Sequence, residues 1–493
     1  MSSRPTVAFA VVAALCLGAT LMQSGAANAE QTRQTHLRQV SADPFTNPGD
    51  QHATQVEPDT FAHGRTVVAV FQTGRNFAGG SSDIGFSVSR NGGRTWPIKG
   101  FLPLLTRQSS PPGPYARASD PAVAYDEKHD TWLISSLLLG GPLGGSDLGI
   151  SRSSDGGRHW SAPSIIPARG TQDFDKNWIV CDNGERSPFL GHCYSTWDDF
   201  GHLNRLLSAT SVDGGKTWSP PTPTADLTLG IGGQPVVQPN GTVIVPTDNL
   251  VETQVLAYRS TDGGATWAAN VLVSDIRQHR VAGGLRTDAL PSAEIDEDGT
   301  VYVAWQDCRF RAACSANDIV LSRSTDGVNW TAPSRVPIDA VSSAVDHFIP
   351  GLAVDPHRKG GKTRLALTYY FYPQANCTAA SCQLEVGFIS SADAGATWST
   401  PSTLTHAPMT LSWLPATTQG VMVGDYISTS FAGSKAVSVF AVASPPTTRF
   451  HQSMFAAVTP VTRDGDRVSA EPGQPNPLRV PPRVTTKAAA TRR

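Results

Sequence analysis

Seven residues stand at the same point of a recurring pattern and differ in kind: Glu57, Asp120, Lys176, Gln234, Leu290, Ile349 and Asp425. Each opens a short apolar strand that leads into a more strongly apolar one, as in EPDTFAHGRTVVAVFQ from Glu57 and DPAVAYDEKHDTWLISSL from Asp120. A position that changes charge while its surroundings repeat is where chemistry can sit, because what every copy shares is architecture. Carboxylates that converge on one place repel unless a cation offsets them. The set therefore calls for a bound cation, a cationic ligand, or neighbouring Lys and Arg. Lys176, Arg75, Arg309 and Arg311 are the side chains that could serve. Arg75 and Arg309 end apolar strands, and Arg309 and Arg311 lie within the short segment from Cys308 to Cys314, which would fix them in place. Guanidinium forks hold carboxylates in bidentate fashion, so Arg75 and Arg309 suit an anionic group. Solvated loop arginines are the plain alternative. Carboxylates without such arginines would instead fit calcium; no other cofactor is expected.

The elements that position these residues are marked by a second repeat. SRNGGRTW at Ser89, SSDGGRHW at Ser153, SVDGGKTW at Ser211, STDGGATW at Ser260, STDGVNW at Ser324 and SADAGATW at Ser391 are six copies of one motif, the fifth shortened by a residue. Ser and Asp can bond to nearby backbone N–H groups, Gly supplies the positive φ of a tight reversal, and Thr-Trp begins the returning strand. One such unit cannot bury a core, but several stacked ones can. The tryptophans are expected to pack between neighbouring units.

This motif resembles the Asp-box, or BNR, repeat of sialidases and other secreted β-propellers, and the likeness covers most of residues 50–400. It implies an all-β chain in which four-stranded blades radiate from a channel and the Asp box joins the third strand to the fourth. Strand pairs are counted seven times, the last from GDYISTSF, AVSVFAVA and FHQSMFAAV, which lacks an Asp box. Seven blades are therefore expected, the last completed by a strand near residues 36–42; a six-bladed ring would leave residues 425–458 as an appended hairpin. Connectivity then puts the Asp boxes on one rim and any site at the opposite mouth. By the same likeness, Arg75 and Asp83 occupy the places of an arginine and the acid/base aspartate. Tyr426 stands in a late position like that of the tyrosine nucleophile, with Glu294 as its activating partner. Asp83 also reads as a strand-start residue, since Asp147 and Asp318 recur at its place. The Phe-Arg-Ile-Pro motif of sialidases is absent, Val56-Glu57-Pro58 standing in its place. The resemblance implies a glycoside hydrolase acting on an extracellular glycan. A non-catalytic propeller that binds a glycan or protein at its mouth is the second reading, and a polysaccharide lyase the third.

Residues 1–29 read as a secretory signal, with Arg4, an apolar run from Val7 to Leu21 and the cleavage site Ala27-Asn28-Ala29. Residues 30–465 would form the propeller, and the Pro-rich basic stretch 466–493 a disordered tail. No other segment is apolar enough to span a bilayer. In an exported chain, Cys181 with Cys193, Cys308 with Cys314, and Cys377 with Cys382 are expected to form disulfides. The formal net charge of −2 gives no reason to expect nucleic acid as a partner. A secreted monomer is expected.

Overall fold

The six turns build the fold. In a computed structural model, the Ser hydroxyl of each copy accepts the N–H of the Gly four residues on, or three in the shortened copy, at 2.9 Å: Ser89–Gly93, Ser153–Gly157, Ser211–Gly215, Ser260–Gly264, Ser324–Gly327 and Ser391–Gly395. The acid closes the loop from the other side, Asp213 accepting the Thr217 N–H at 3.0 Å and its hydroxyl at 2.7 Å. The turn thus fixes both strands that leave it through hydrogen bonds of its own.

The structure describes residues 36–142, 144–168 and 172–461, and the backbone of Val468–Ser469. All belong to the second of two contact units, Thr35–Arg493. The expected signal at 1–29 and most of the tail lie outside the described residues. The described chain is all-β apart from single 3-10 turns, and no helix in it is long and apolar enough to cross a membrane.

Along the chain its strands pair antiparallel in successive sets, of which the first, second and last are joined into one twelve-stranded sheet. The first runs Asp50–His63, Thr66–Asn76, Ser81–Ser89 and Ile98–Phe101, and the second Arg117–Asp126, Thr131–Leu139, Ser146–Ser153 and Ser164–Ile165. The third begins at Phe174–Cys181, the fourth at Val236–Val237, the fifth at Ser292–Ile295 and the sixth at His347–Val354. The seventh holds Ser428–Ala432, Lys435–Ala443 and Gln452–Pro460, and Arg38–Gln39 joins it with Arg38 opposite Ala456. The first strand of each set packs against the first strand of the next, and that of the seventh packs against that of the first.

Burial is organised between sets rather than in one centre. Val68, Ile84 and Phe86 of the first set pack with Ile134 and Trp160 of the second; Tyr194 of the third packs with Tyr258 and Trp267 of the fourth. The turn tryptophans take this part, Trp267 lying 5.5 Å from Tyr258 and Trp160 5.7 Å from Phe86, ring centre to ring centre. Disulfides join Cys181–Cys193, Cys308–Cys314 and Cys377–Cys382, the local pairing that the spacing suggested. The first ties two facing residues of neighbouring strands, and the others close loops between second and third strands.

Candidate functional site

Four of the seven strand-opening residues gain their special place from a backbone irregularity that recurs along the chain. The ladder slips between Val56 and Asp59, Ser119 and Ala122, Asp175 and Trp178, and Phe348 and Gly351. Inside each slip one residue takes a positive φ: Glu57 at 53°, Asp120 at 43°, Lys176 at 47° and Ile349 at 51°. A bulge re-aims the side chain it carries. Proline follows at 58, 121 and 350, where its missing N–H costs no ladder bond. Holding a β-branched residue such as Ile349 there is strained, so the backbone geometry is kept even where the side chain does not suit it.

These bulges bring distant charges together. Lys176 Nζ bonds to Asp425 and lies 3.7 Å from Glu57 and 3.9 Å from Asp120. Arg286 also bonds to Asp425. Gln72 donates to Glu57 and, at 3.1 Å, to Ser119. Arg75 is buried beside them, its guanidinium donating to the carbonyls of Asn76 at 2.8 Å and Gly80 at 2.7 Å; burial lowers its proton affinity, and the charge of Glu57 opposes that most strongly. The charged ends of Lys176, Glu57, Asp120 and Asp425 are almost out of water, with side-chain exposure of 7% or less.

Burial and neighbours push the acids apart. Burial raises Glu57 to about 8 against the pull of Lys176. It raises Asp120 less, to about 6. On Asp425 burial acts the same way, but Arg286 and Lys176 overcome it and hold the carboxylate well below its ordinary range. Lys176, despite burial, is raised by Asp425, Glu57 and Asp120 and stays charged. The cluster therefore favours a proton on Glu57 more than on Asp120 and holds Asp425 ionised, with three cations around them. Glu252, raised by burial and Asp288 to about 7, feels the same charges.

Tyr426 joins the cluster but not with the expected partner. Its ring lies 6.0 Å from Lys176 Nζ and 5.1 Å from Trp178, and its hydroxyl donates to the Pro121 carbonyl at 3.4 Å. Burial, then Glu57 and the other acids, push its ionisation well above the usual range. Among the described residues no hydrogen bond joins it to Glu294, whose carboxyl has Asp59 as its charged neighbour. Asp83 stands apart too. It is buried in its strand, accepting the Ile84 N–H at 2.9 Å, and burial raises it well above the carboxylate range.

Arg309 and Arg311 likewise turn away from the cluster. Arg309 is held by Asp307 at 2.7 and 2.9 Å. Arg311 has no exposed side-chain surface and is consumed by Asp318 and Asp339, both at 2.5 Å, and by the carbonyls of Ala340 and Ser343 at 2.7 Å. Asp318, Asp339 and His347 do offer ligand atoms within 4.8 Å of one another, the right types for a metal. However, Arg311 and Arg335 already neutralise both carboxylates, so a cation finds no free charge there.

A cavity of about 20 Å³ opens beside the cluster, lined by Lys176, Asn177, Trp178, Gly232, Gln234, Leu290, Pro291 and Tyr426. It has room for roughly one water. A larger cavity of about 290 Å³, around Arg335, Asp339, Val341 and Thr400, shares no lining residue with it. Arg286, Trp178, Gln72, Glu252 and Asp288 were not anticipated. Arg286 lies four residues before Leu290, in a connection that leads to a strand-opening position, and that placement could have found it.

Residues 140–353 match the family model for a BNR repeat-like domain. Among curated proteins, the chain is 29% identical over 198 residues to a xyloglucanase of Paenibacillus sp, covering 36% of this chain and 18% of that one. It is 28% identical over 221 residues to a sialidase of Bacteroides fragilis (strain YCH46), covering 38% and 37%. The chain thus spans less than two-fifths of the length of either relative. Solved structures similar to it include the Hadza microbial sialidase Hz136, with TM-score 0.44, 16% identity, and coverage of 84% and 68%. A leech intramolecular trans-sialidase gives TM-score 0.42, 12% identity, and coverage of 88% and 70%.

Proposed function

We propose that the protein is a secreted, sialidase-like glycoside hydrolase acting on an extracellular, anionic glycan, exported after cleavage near Ala29, and built as a seven-bladed β-propeller. The seven strand sets, each first strand packing on the next and the seventh on the first, support the propeller reading. The observation that carries the activity is that Glu57 and Asp120 lie within 4 Å of one ammonium, Lys176 Nζ, at 3.7 and 3.9 Å, yet are held at about 8 and about 6. Two carboxyl groups with separated proton affinities are the requirement for acid and base roles near neutral pH.

In this reading Glu57 gives its proton to the glycosidic oxygen as that bond breaks, and Asp120 takes a proton from the attacking water, which bonds to the sugar carbon. Asp425, locked by Lys176 and Arg286, positions the cations rather than reacting. Because Glu57 keeps its proton, Lys176, Arg286 and Arg75 face only Asp120 and Asp425 in the inner set, which suits an anionic substrate group. Asn177 Oδ1 and Asp425 Oδ1 are buried and accept no hydrogen bond among the described residues, leaving acceptors for a polar ligand. Tyr426 and Trp178 wall the site.

The second reading is a non-catalytic propeller that binds a glycan or protein at its mouth. The small cavity and the low exposure of the cluster favour it. Purified protein on a panel of aryl glycosides that includes the sialoside separates the two. Hydrolysis that drops at least about a hundredfold in Glu57→Gln supports the enzyme, in line with the usual weight of a general acid. Turnover of no substrate in the panel, or full turnover by Glu57→Gln, refutes this mechanism.

A further inference from the structure

Ten large apolar side chains are well exposed among the described residues, and five of them sit on three adjoining turns. Phe200 (63% exposed) and Leu203 (68%) follow the strand Cys193–Asp199, Leu227 (52%) precedes Gly230–Ile231, and Leu250 (39%) and Val251 (67%) follow Val243–Asn249. The turns are fastened together, Gly230 N donating to the Asn204 carbonyl at 2.8 Å and Gly230 pairing with Asn249. The five therefore make one surface rather than scattered exposures. It lies at the end where first strands open, since Phe200 N bonds to the Asp173 carbonyl at 2.8 Å, beside Phe174 and Lys176.

Two of the five hold a backbone that their side chains disfavour, Leu203 at φ 60° and Leu227 at φ 54°. Glycine would take either turn without the clash of Cβ against carbonyl oxygen. A leucine kept in the left-handed region and pointed at solvent serves neither the turn nor the core, so its use lies outside the chain.

The surroundings choose the occupant. Residues 198–204, 225–231 and 248–254 contain no Lys or Arg; the adjoining Arg205 is half-buried. Asp199 is bonded to His202 at 2.7 Å and Asp226 to Asn270 at 2.5 Å. An anionic surface would find no counter-charge here. Each tip closes on itself through one backbone bond, Leu203 N to Phe200 O at 3.2 Å, Leu227 N to Thr224 O at 3.0 Å and Glu252 N to Asn249 O at 3.0 Å. Apolar side chains on turns closed in this way can enter the boundary between lipid headgroups and acyl chains while the polar groups beside them stay at headgroup level. We propose that this rim docks on an electrically neutral lipid surface, with Phe200, Leu203, Leu227 and Val251 inserted. The turn bearing Val251 also bears Glu252, which feels the charges of Lys176, Arg286 and Asp425, so docking sets the cluster against glycans standing on that surface. This goes beyond the hydrolase reading and does not depend on it, because docking is measured without turnover.

The test is sedimentation of the full chain with vesicles of phosphatidylcholine, and with the same lipid mixed with phosphatidylserine. The wild type should sediment with the neutral vesicles and less with the mixed ones. The quadruple variant Phe200→Ser, Leu203→Gly, Leu227→Gly, Val251→Ser should bind at least about tenfold more weakly. Its fold is checked by circular dichroism, and the pair Leu203→Gly, Leu227→Gly alone, which relieves both turns, should already weaken binding. Wild-type protein left in the supernatant with both vesicles, or a folded quadruple variant that sediments equally well, overturns the proposal. Wild-type dimers in light scattering that the variant loses, without vesicle binding, would assign the face to a second copy of the chain and overturn it as well.

Discussion

Replacing Glu57 by glutamine should make the protein relatively more stable as pH rises. The wild-type carboxyl moves from an ordinary 4.5 in the unfolded chain to about 8 in the folded one. Between those values the folded state holds a proton that the unfolded state has released, so stability falls with rising pH and levels off above about 8. Each unit is worth about 1.4 kcal/mol, which puts the full loss on the order of 5 kcal/mol. Glutamine matches the shape of the neutral acid and has no proton to lose. The two proteins should therefore melt alike near pH 4.5 and diverge toward pH 8. The variant should gain roughly 3–5 °C at the upper end, since a chain this long shifts about 1 °C per kcal/mol. Melting curves of both at several pH values measure this directly. Asp120 titrates in both proteins and cancels from the difference. Parallel curves from pH 5 to 8, or a variant that loses ground as pH rises, would show that Glu57 is ionised in the fold and would remove the proton donor from the proposed mechanism.

If hydrolysis is found, kcat/KM should be bell-shaped, rising through about 6 as Asp120 ionises and falling through about 8 as Glu57 loses its proton; Asp120→Asn should abolish the rising limb. Arg311→Ala should destabilise the fold by about 1–3 kcal/mol, because it leaves Arg335 to offset both Asp318 and Asp339, while leaving affinity for any ligand of the cluster unchanged; urea unfolding and ligand titration read the two effects. Ser211→Ala removes two turn bonds, one accepted from Gly215 N and one donated to Asp213 Oδ1, both at 2.9 Å, and should cost about 1–2 kcal/mol in the same unfolding assay.

Which parts of this molecule can be read from its residues follows from what a repeat does and does not encode. The turns are local: serine, acid and glycine lie within five residues, so the motif contains its own hydrogen bonds and the strands on either side follow. The strand-opening positions are almost as accessible, because a repeat makes Glu57, Asp120, Lys176 and Asp425 equivalent in depth, and equivalent depth brought their charges to one cluster. Depth also explains the failed pair. Tyr426 is one residue beyond its opening position, Asp425, and Glu294 is four beyond Leu290. At about 3.3 Å per residue the two differ by roughly 10 Å along the strand direction. Asp59, two beyond Glu57, is nearer in depth to Glu294 and is the charge that Glu294 feels. Arg309 and Arg311 failed for a different reason. Each has an acid close by in the chain, Asp307 and Asp318, and a guanidinium takes the fork within reach before it serves a ligand across the molecule. Arg286 is the converse case. Its nearby acid, Asp288, is two residues away, yet its bond goes to Asp425, since the strand-opening carboxylate is the one placed in its path. Register within a repeat thus fixes depth, and the competition among neighbouring charges decides which cations are left to face the site.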